Sequence, residues 1–183
     1  MTTPTATTPA VGMSFPAPVG RVVDGLAEAL GPRVRGRVLD LGTADGRAVL
    51  SEAIDGAGST ELAETATFDT IVSIGGLVHQ ADLWAAVRAI EALLDPTGTL
   101  LLVEPVDRPV SGGLVLGSLA ALHPRTRRLH VNRDIPAALR RSSLSIVDIE
   151  RITMPTPIWS LRSFVALTAA RVVATPGAEA SAR

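Results

Sequence analysis

The sequence contains no cysteine and no tyrosine, and all 17 of its basic residues are arginine, so lysine is absent as well. These absences exclude disulfide bonds, thiolate metal sites, a cysteine nucleophile, a lysine Schiff base and a tyrosine acid or base. Aromatic residues make up only 3% of the chain. This low content disfavours nucleic-acid binding, because such binding often uses aromatic side chains on which the bases stack.

Long apolar runs and a strong net charge are also missing. No stretch of about 18 or more apolar residues occurs, so we expect no segment that spans a membrane. The formal net charge is -1, which gives no general attraction for nucleic acid or for an anionic membrane. The histidines have no spacing with carboxylates that is typical of a metal site, so we predict no metal. The N-terminal region lacks the basic residues of a secretory signal, and a cytoplasmic location is the simplest expectation.

The length and composition predict one folded domain. A chain of 183 residues with 46% hydrophobic content is large enough to bury one good core. We predict that this domain covers residues 17–172. Residues 1–16, which are rich in Thr, Pro and Ala, are expected to be a disordered segment, and residues 173–183 a disordered tail.

The spacing of apolar residues predicts alternating strands and helices. Helices are predicted at residues 19–30, 47–55 and 83–94, and strands at residues 38–41, 68–74 and 99–103. Such alternation favours an α/β fold with a parallel sheet and helices on its faces. Further along, Asn132 is predicted to cap a helix that ends near Arg141. Residues 144–151 and 163–171 are expected to form an antiparallel pair of strands.

The most informative stretch is VLDLGTADGR at residues 38–47. It indicates a buried strand, a tight turn and the start of a helix, where unpaired backbone N–H groups hold a carboxylate or a phosphate. The dinucleotide fingerprint Gly-x-Gly-x-x-Gly is absent, because Ala44 stands at its second glycine and Gly42 and Gly46 are separated as Gly-x-x-x-Gly. A nicotinamide or flavin cofactor is therefore not favoured.

This stretch resembles motif I, Asp-x-Gly-x-Gly-x-Gly, of the class I S-adenosylmethionine-dependent methyltransferases. Its named positions hold Asp40, Gly42, Ala44 and Gly46, with alanine in place of one glycine. Residues 68–106 resemble the family's fourth strand, next helix and fifth strand. The segment that begins at residue 132 resembles the C-terminal part of the ubiquinone and menaquinone biosynthesis methyltransferases. The resemblance implies a shortened Rossmann-like, mostly parallel sheet with helices on both faces and an antiparallel C-terminal strand pair.

The resemblance also implies a cofactor and a set of site residues. The cofactor is S-adenosylmethionine, whose methionine end would be wrapped by Asp40, Gly42, Thr43, Ala44 and Gly46. The transferred methyl group would be bordered by Ser73, Ile74 and Gly75. The catalytic candidates are His79, in the loop after the strand, and Glu104, because a hydroxyl acceptor needs a base there. Two structural alternatives stay open, namely that His79 caps a helix at Ala81 and that Glu104 only stabilises the fold.

The family's second and third strands have no counterpart in the sequence. Only residues 58–68 lie between the loop after the second helix and the next predicted strand, whereas a βαβ unit takes about 30 residues. In the family, an acidic residue at the end of the second strand binds the ribose hydroxyls. Glu61 and Glu64 are the candidates for this contact from a loop, with two solvated acids as the simpler alternative.

The function that the resemblance implies is transfer of a methyl group from S-adenosylmethionine to a small-molecule acceptor. The missing strands leave open a degenerate relative that has lost the cofactor and acts as a binding or interaction subunit. A non-methylating enzyme on the same fold is a third hypothesis. A narrower sheet would expose an edge and an apolar face, which a homodimer or a partner protein would cover.

Overall fold

The computed structural model describes residues 8–56, 67–106, 130, 133–156 and 161–171. In this part of the chain, four α-helices and five strands alternate around one sheet. The helices are α1 (Ala17–Leu30), α2 (Ala44–Asp55), α3 (Leu83–Leu93) and α4 (Ile135–Arg140). The strands are β1 (Val38–Asp40), β2 (Phe68–Ile74), β3 (Leu94–Pro105), β4 (Leu144–Thr153) and β5 (Ser163–Arg171).

The sheet is mixed, with the strand order β1-β2-β3-β5-β4. β1, β2 and β3 are parallel neighbours, and β5 runs antiparallel to both β3 and β4. Four of the five strands therefore point in the same direction, and β5 is inserted against them. The predicted α/β class, the mostly parallel sheet and the antiparallel C-terminal pair are confirmed.

Helices cover both faces of the sheet, as the sequence predicted. On one face, α2, α3 and α4 pack against inward side chains such as Ile71 and Leu100. On the other face, α1 packs against Val72 and Leu101. Neighbouring residues of one strand thus belong to opposite faces, because successive side chains of a strand point to opposite sides. The two central strands are buried on both sides, which explains their nearly continuous apolar sequence.

The predicted helices are present, but three predictions about their ends need correction. α2 begins at Ala44 rather than near residue 47, because the side chain of Thr43 accepts the Gly46 N–H and stabilises an earlier first turn. α4 is capped by Asp134 and not by Asn132, which lies outside the described residues. α3 begins at Leu83 with Asp82 as its cap, so a helix cap by His79 near Ala81 is wrong.

Two parts of the sequence interpretation lie outside the described residues. Glu61 and Glu64 fall in the segment 57–66, so the ribose contact and the missing strands remain predictions. The tail at residues 173–183 is also outside. Within the described residues β1 pairs directly with β2 and forms one edge of the sheet. The helices of this part of the chain are too short or too polar for any of them to cross a membrane.

Candidate functional site

The carboxyl ends of the parallel strands meet at one edge of the sheet, and we call the space beyond this edge the crevice. β1 ends at Asp40, β2 ends at Ile74, and Glu104 stands at the corresponding end of β3. The register keeps these ends level, with Asp40 opposite Val72 and Ile74 opposite Val103. In open α/β sheets, this edge is the usual place for ligands. The structure therefore brings the sequence-predicted site residues to the same edge.

The turn after β1 is held in place by its own polar groups. Asp40 Oδ1 accepts the Gly42 N–H at 2.9 Å. Thr43 Oγ1 donates to the Asp40 carbonyl at 2.7 Å and accepts the Gly46 N–H at 2.9 Å. Arg47 Nη1 donates to the Gly42 carbonyl at 2.7 Å. The turn is therefore held by hydrogen bonds among its own residues.

Gly46 is required for the close packing of α2 on the end of β1. A Cβ atom at this position would lie 2.0 Å from the Asp40 carbonyl oxygen, a distance that forces the backbone apart. Thr43 acts as the cap of the helix, so its side chain is committed to the fold. Ala44 is exposed at the first position of the helix, where its N–H has no intrahelical acceptor.

The second carboxylate oxygen of Asp40 faces a different part of the chain. Asp40 Oδ2 accepts the backbone N–H of Ala10 at 2.7 Å. Ala10 belongs to residues 8–15, which cross the strand ends and which we call the strap. Asp40 therefore uses Oδ1 to bind the turn and Oδ2 to bind the group that lies in the crevice.

The strap continues across the end of β2. Val11 forms a parallel bridge with Ile74, and the Gly12 N–H donates to the Ile74 carbonyl at 2.6 Å. The Phe15 ring then packs edge-on against Phe164, with 5.6 Å between the ring centroids. These residues belong to the segment that the sequence interpretation expected to be disordered. In the structure they cover Ile74 and the turn after it.

Ser73 and Glu104 form a buried polar cluster below the crevice. The Ser73 hydroxyl donates to Glu104 Oε1 at 2.5 Å, and the same oxygen accepts the N–H groups of Gly76 and Leu77 at 3.0 and 3.1 Å. Glu104 has no exposed surface, and its Oε2 has no hydrogen-bond partner among the described residues. Burial raises the pKa of Glu104 to about 7, and the three hydrogen bonds oppose this rise. The carboxyl group fixes the loop after β2.

His79 lies at the opposite, exposed side of this loop. Its Nε2 is 2.9 Å from the carbonyl oxygen of Gly12 in the strap. A carbonyl only accepts hydrogen bonds, so Nε2 carries the hydrogen in this contact. His79 therefore belongs to the strap side of the crevice, whereas the hydrogen bonds of Glu104 all lie below it.

Sequence reasoning missed four residues of this site. Ala10 and Gly12 of the strap gave no signal, because the strap shows no apolar periodicity. Gly76 allows a close approach, since a Cβ atom there would lie 2.5 Å from the Leu41 carbonyl oxygen; the Gly75-Gly76 pair was a visible signal. Arg47 follows the motif directly, and its position five residues after Gly42 gave the only hint that it braces the turn. No group of three His, Cys, Asp or Glu side chains is placed to hold a metal ion among the described residues.

Comparison with solved structures finds proteins of similar fold and low sequence identity. Magnesium protoporphyrin IX methyltransferase from Synechocystis PCC 6803, solved with bound SAH, is 19% identical, with a TM-score of 0.44 over 84% of this chain and 81% of that one. The 1,6-didemethyltoxoflavin-N1-methyltransferase of Burkholderia thailandensis, solved with bound 1,6-didemethyltoxoflavin and S-adenosylhomocysteine, is 19% identical, with a TM-score of 0.46 over 85% of this chain and 78% of that one. The [4+2]-cyclase SpnF is 15% identical, with a TM-score of 0.47 over 82% and 80%. No protein-family model and no curated protein matches the chain.

Proposed function

We propose that this protein transfers a methyl group from S-adenosylmethionine to a small-molecule acceptor. The observation that carries the proposal is the second carboxylate oxygen of Asp40, which faces the crevice and there accepts an N–H group. The ammonium group of an amino-acid moiety offers such N–H donors together with a positive charge. A hydrogen bond between ionised groups is about twice as strong as one between neutral groups.

The crevice also suits the other charge of an amino-acid moiety. The N-terminus of α2 presents the unpaired N–H of Ala44 close to Asp40, and a helix start favours a carboxylate. A negative side chain and a positive helix end side by side match the zwitterionic methionine end of S-adenosylmethionine. The glycines at positions 42, 75 and 76 leave the floor without side chains. The contact to the ribose hydroxyls is assigned, within this proposal, to Glu61 and Glu64.

Methyl transfer from a sulfonium is a displacement reaction, so the protein mainly aligns the two reactants and excludes water. When bound, S-adenosylmethionine supplies the methyl group. For a hydroxyl acceptor we propose His79 as the base, because it is exposed in the loop after β2. Glu104 is the weaker candidate, because its carboxyl group is fully buried and bound to Ser73 and the loop. Ser73, Ile74 and Gly75 border the point of transfer in this proposal.

A second candidate function is a protein that keeps the fold but uses the crevice without this cofactor. The observation that favours it is the strap, which fills the space above Gly42 and Ile74. Such a protein would act as a binding or interaction subunit, with a second copy or a partner protein along the β1 edge of the sheet.

Calorimetric titration of S-adenosylhomocysteine into the full-length protein separates the two functions. We expect binding to the unchanged protein and a loss of about 10- to 100-fold in affinity for Asp40→Asn, since the amide lacks the charge that attracts the ammonium. The matched control is Asp45→Asn, an exposed residue in the first turn of the same helix, which should bind as the unchanged protein does. Absence of binding in the folded, unchanged protein would refute the proposed cofactor and favour the second function.

A further inference from the structure

We infer that the strap is an intramolecular competitor for the crevice, and that residues 9–13 must leave before a ligand with an amino-acid moiety enters. The identity of that ligand rests on the proposed function. The position of the strap does not rest on the proposed function, because it follows from hydrogen bonds and close approaches between described residues.

The first argument is steric, because the strap lies directly on the floor of the crevice. A Cβ atom at Gly42 would be 2.0 Å from the Ala10 carbonyl oxygen. A Cβ atom at Gly12 would be 2.7 Å from the Gly75 carbonyl oxygen. Two backbones that approach so closely leave no room for a third group between them. The strap in its present position and a ligand that contacts Gly42 therefore exclude each other.

The second argument is chemical, because strap and ligand would use the same acceptor. The Ala10 N–H occupies Asp40 Oδ2, which is the oxygen that the proposed function assigns to an ammonium group. The other oxygen, Oδ1, is held by Gly42 in the turn. The strap thus satisfies a carboxylate that would otherwise lack a partner on the crevice side, and a charged donor would compete for it.

The third argument is that the strap has an aromatic anchor next to α1 and a half-buried segment before it. The anchor is Phe15, whose ring packs on the buried Phe164 just before α1 begins at Ala17. On the other side of the exposed Ser14, the strap from Ala10 to Met13 is half-buried. It is held by backbone hydrogen bonds and by the packing of Val11 and Met13 against the core, and Pro9 before it is buried. Release of residues 9–13 leaves the anchor in place. It also breaks the hydrogen bond between His79 and the Gly12 carbonyl.

The test uses full-length variants that open the strap from its own side. Gly12→Val adds atoms that meet the backbone of Gly75 and so expels the strap. Ala10→Pro is milder, because its main effect is to remove the N–H that binds Asp40. The preceding residue, Pro9, is already a proline. The matched control is Gly25→Val in α1, where an added Cβ has no neighbour within 4 Å. Ala10 and Gly12 belong to the strap and are not among the residues proposed to bind the cofactor or to act as the base, and Gly25 lies outside the candidate site.

Two measurements are made on each protein, namely hydrogen exchange of the strap amides and calorimetric titration with S-adenosylhomocysteine. In the unchanged protein and in Gly25→Val, we expect the Gly12 amide to be protected by its bond to Ile74 and to lose protection when S-adenosylhomocysteine is added. In Gly12→Val, we expect strap amides to exchange at least about tenfold faster, and S-adenosylhomocysteine to bind about tenfold or more tightly, since the closed state no longer reduces the apparent affinity. Ala10→Pro should change both quantities in the same direction by less.

Each outcome decides one of the two proposals. Equal affinity in the unchanged protein and in Gly12→Val, although the strap is released in the variant, would overturn the competition. Unprotected strap amides in the unchanged protein would overturn the position of the strap itself. If no protein binds S-adenosylhomocysteine, the proposed cofactor fails, whereas strap amides protected in the unchanged protein and released in the variant still support a strap that closes the crevice. If Gly12→Val does not fold, Ala10→Pro decides by the exchange of the Gly12 amide and by its affinity.

Discussion

Asp40 and Glu104 both stand at the carboxyl ends of parallel strands, on either side of β2, and their surroundings differ in nearly every respect. Glu104 is fully buried and gives one oxygen to a hydroxyl and two backbone N–H groups of the loop after β2. Asp40 is half-buried, and one of its oxygens binds the strap, a segment that lies on the surface of the sheet edge. Position at a strand end is therefore not enough to identify a ligand-binding carboxylate.

The two carboxylates differ in how firmly the groups that donate hydrogen bonds to them are held in the fold. The donors to Glu104 belong to the core loop that follows β2, so a ligand does not compete for them without unfolding that loop. The donor to Asp40 Oδ2 belongs to a half-buried segment that is held by backbone hydrogen bonds and by the packing of Val11 and Met13 against the core. A hydrogen bond to a charged group contributes about 1.5–3 kcal/mol net. Within the proposed function, Asp40 is the carboxylate that meets the ligand, because its donor leaves with the strap.

The largest effect that would test this contrast is expected from Glu104→Ala. Removal of the carboxyl group leaves the Ser73 hydroxyl and two backbone N–H groups buried without an acceptor. We expect the free energy of unfolding to fall by about 3–5 kcal/mol, measured by urea denaturation. Glu150→Ala, at an exposed position of β4, is the control and should change it by less than about 0.5 kcal/mol. A loss for Glu104→Ala as small as that of the control would show that the cluster does not stabilise the loop.

The next effect concerns pH. The pKa of Glu104 is raised by burial from 4.5 to about 7 in the folded protein, so the folded state holds a proton that the unfolded state releases. Stability from this group is thus complete below pH 4.5, falls as the pH rises through the window to about 7, and is lost above it. The decrease is at most about 3 kcal/mol.

Glu104→Gln serves as the matched variant for this pH dependence. Its amide oxygen accepts the same three hydrogen bonds without titrating, so the unfolding free energy should become flatter between pH 4.5 and 7 than in the unchanged protein. Urea denaturation of both proteins at several pH values in this window measures the difference. Parallel profiles for the two proteins would mean that Glu104 does not take up a proton on folding.

The smallest effect is expected from a substitution of Thr43, which lies in the turn next to Asp40. Thr43→Val keeps the shape of the side chain but removes the oxygen that accepts the Gly46 N–H. We expect a loss of about 1 kcal/mol in unfolding free energy, the usual cost of a helix cap, with unchanged affinity for S-adenosylhomocysteine. A drop in affinity of tenfold or more, with unchanged stability, would instead make Thr43 a ligand-binding residue.

The sequence predicted the fold better than the site. The strand at residues 68–74 and the helix after Asp82 were identified correctly, because each has its own apolar periodicity or cap. The start of α2 was placed about three residues late, because Ala44 and Asp45 carry no apolar signal and the cap by Thr43 was overlooked. At the site, sequence spacing indicated which residues end the strands, but the direction of their hydrogen bonds depends on neighbours that are distant in the chain.

The sequence by itself determined the α/β class, the alternation of helices and strands, and the glycine turn after β1, because these depend on local periodicity and on residues within one turn. Only the tertiary structure decided that β5 lies between β3 and β4, that the Ser73 hydroxyl and two backbone N–H groups donate to Glu104, and that Ala10 binds Asp40. These are contacts between residues that lie about 30 positions apart in the chain or more. The physical reason is that burial and the choice of partner for a carboxylate are set by packing, and packing is fixed only when distant segments meet.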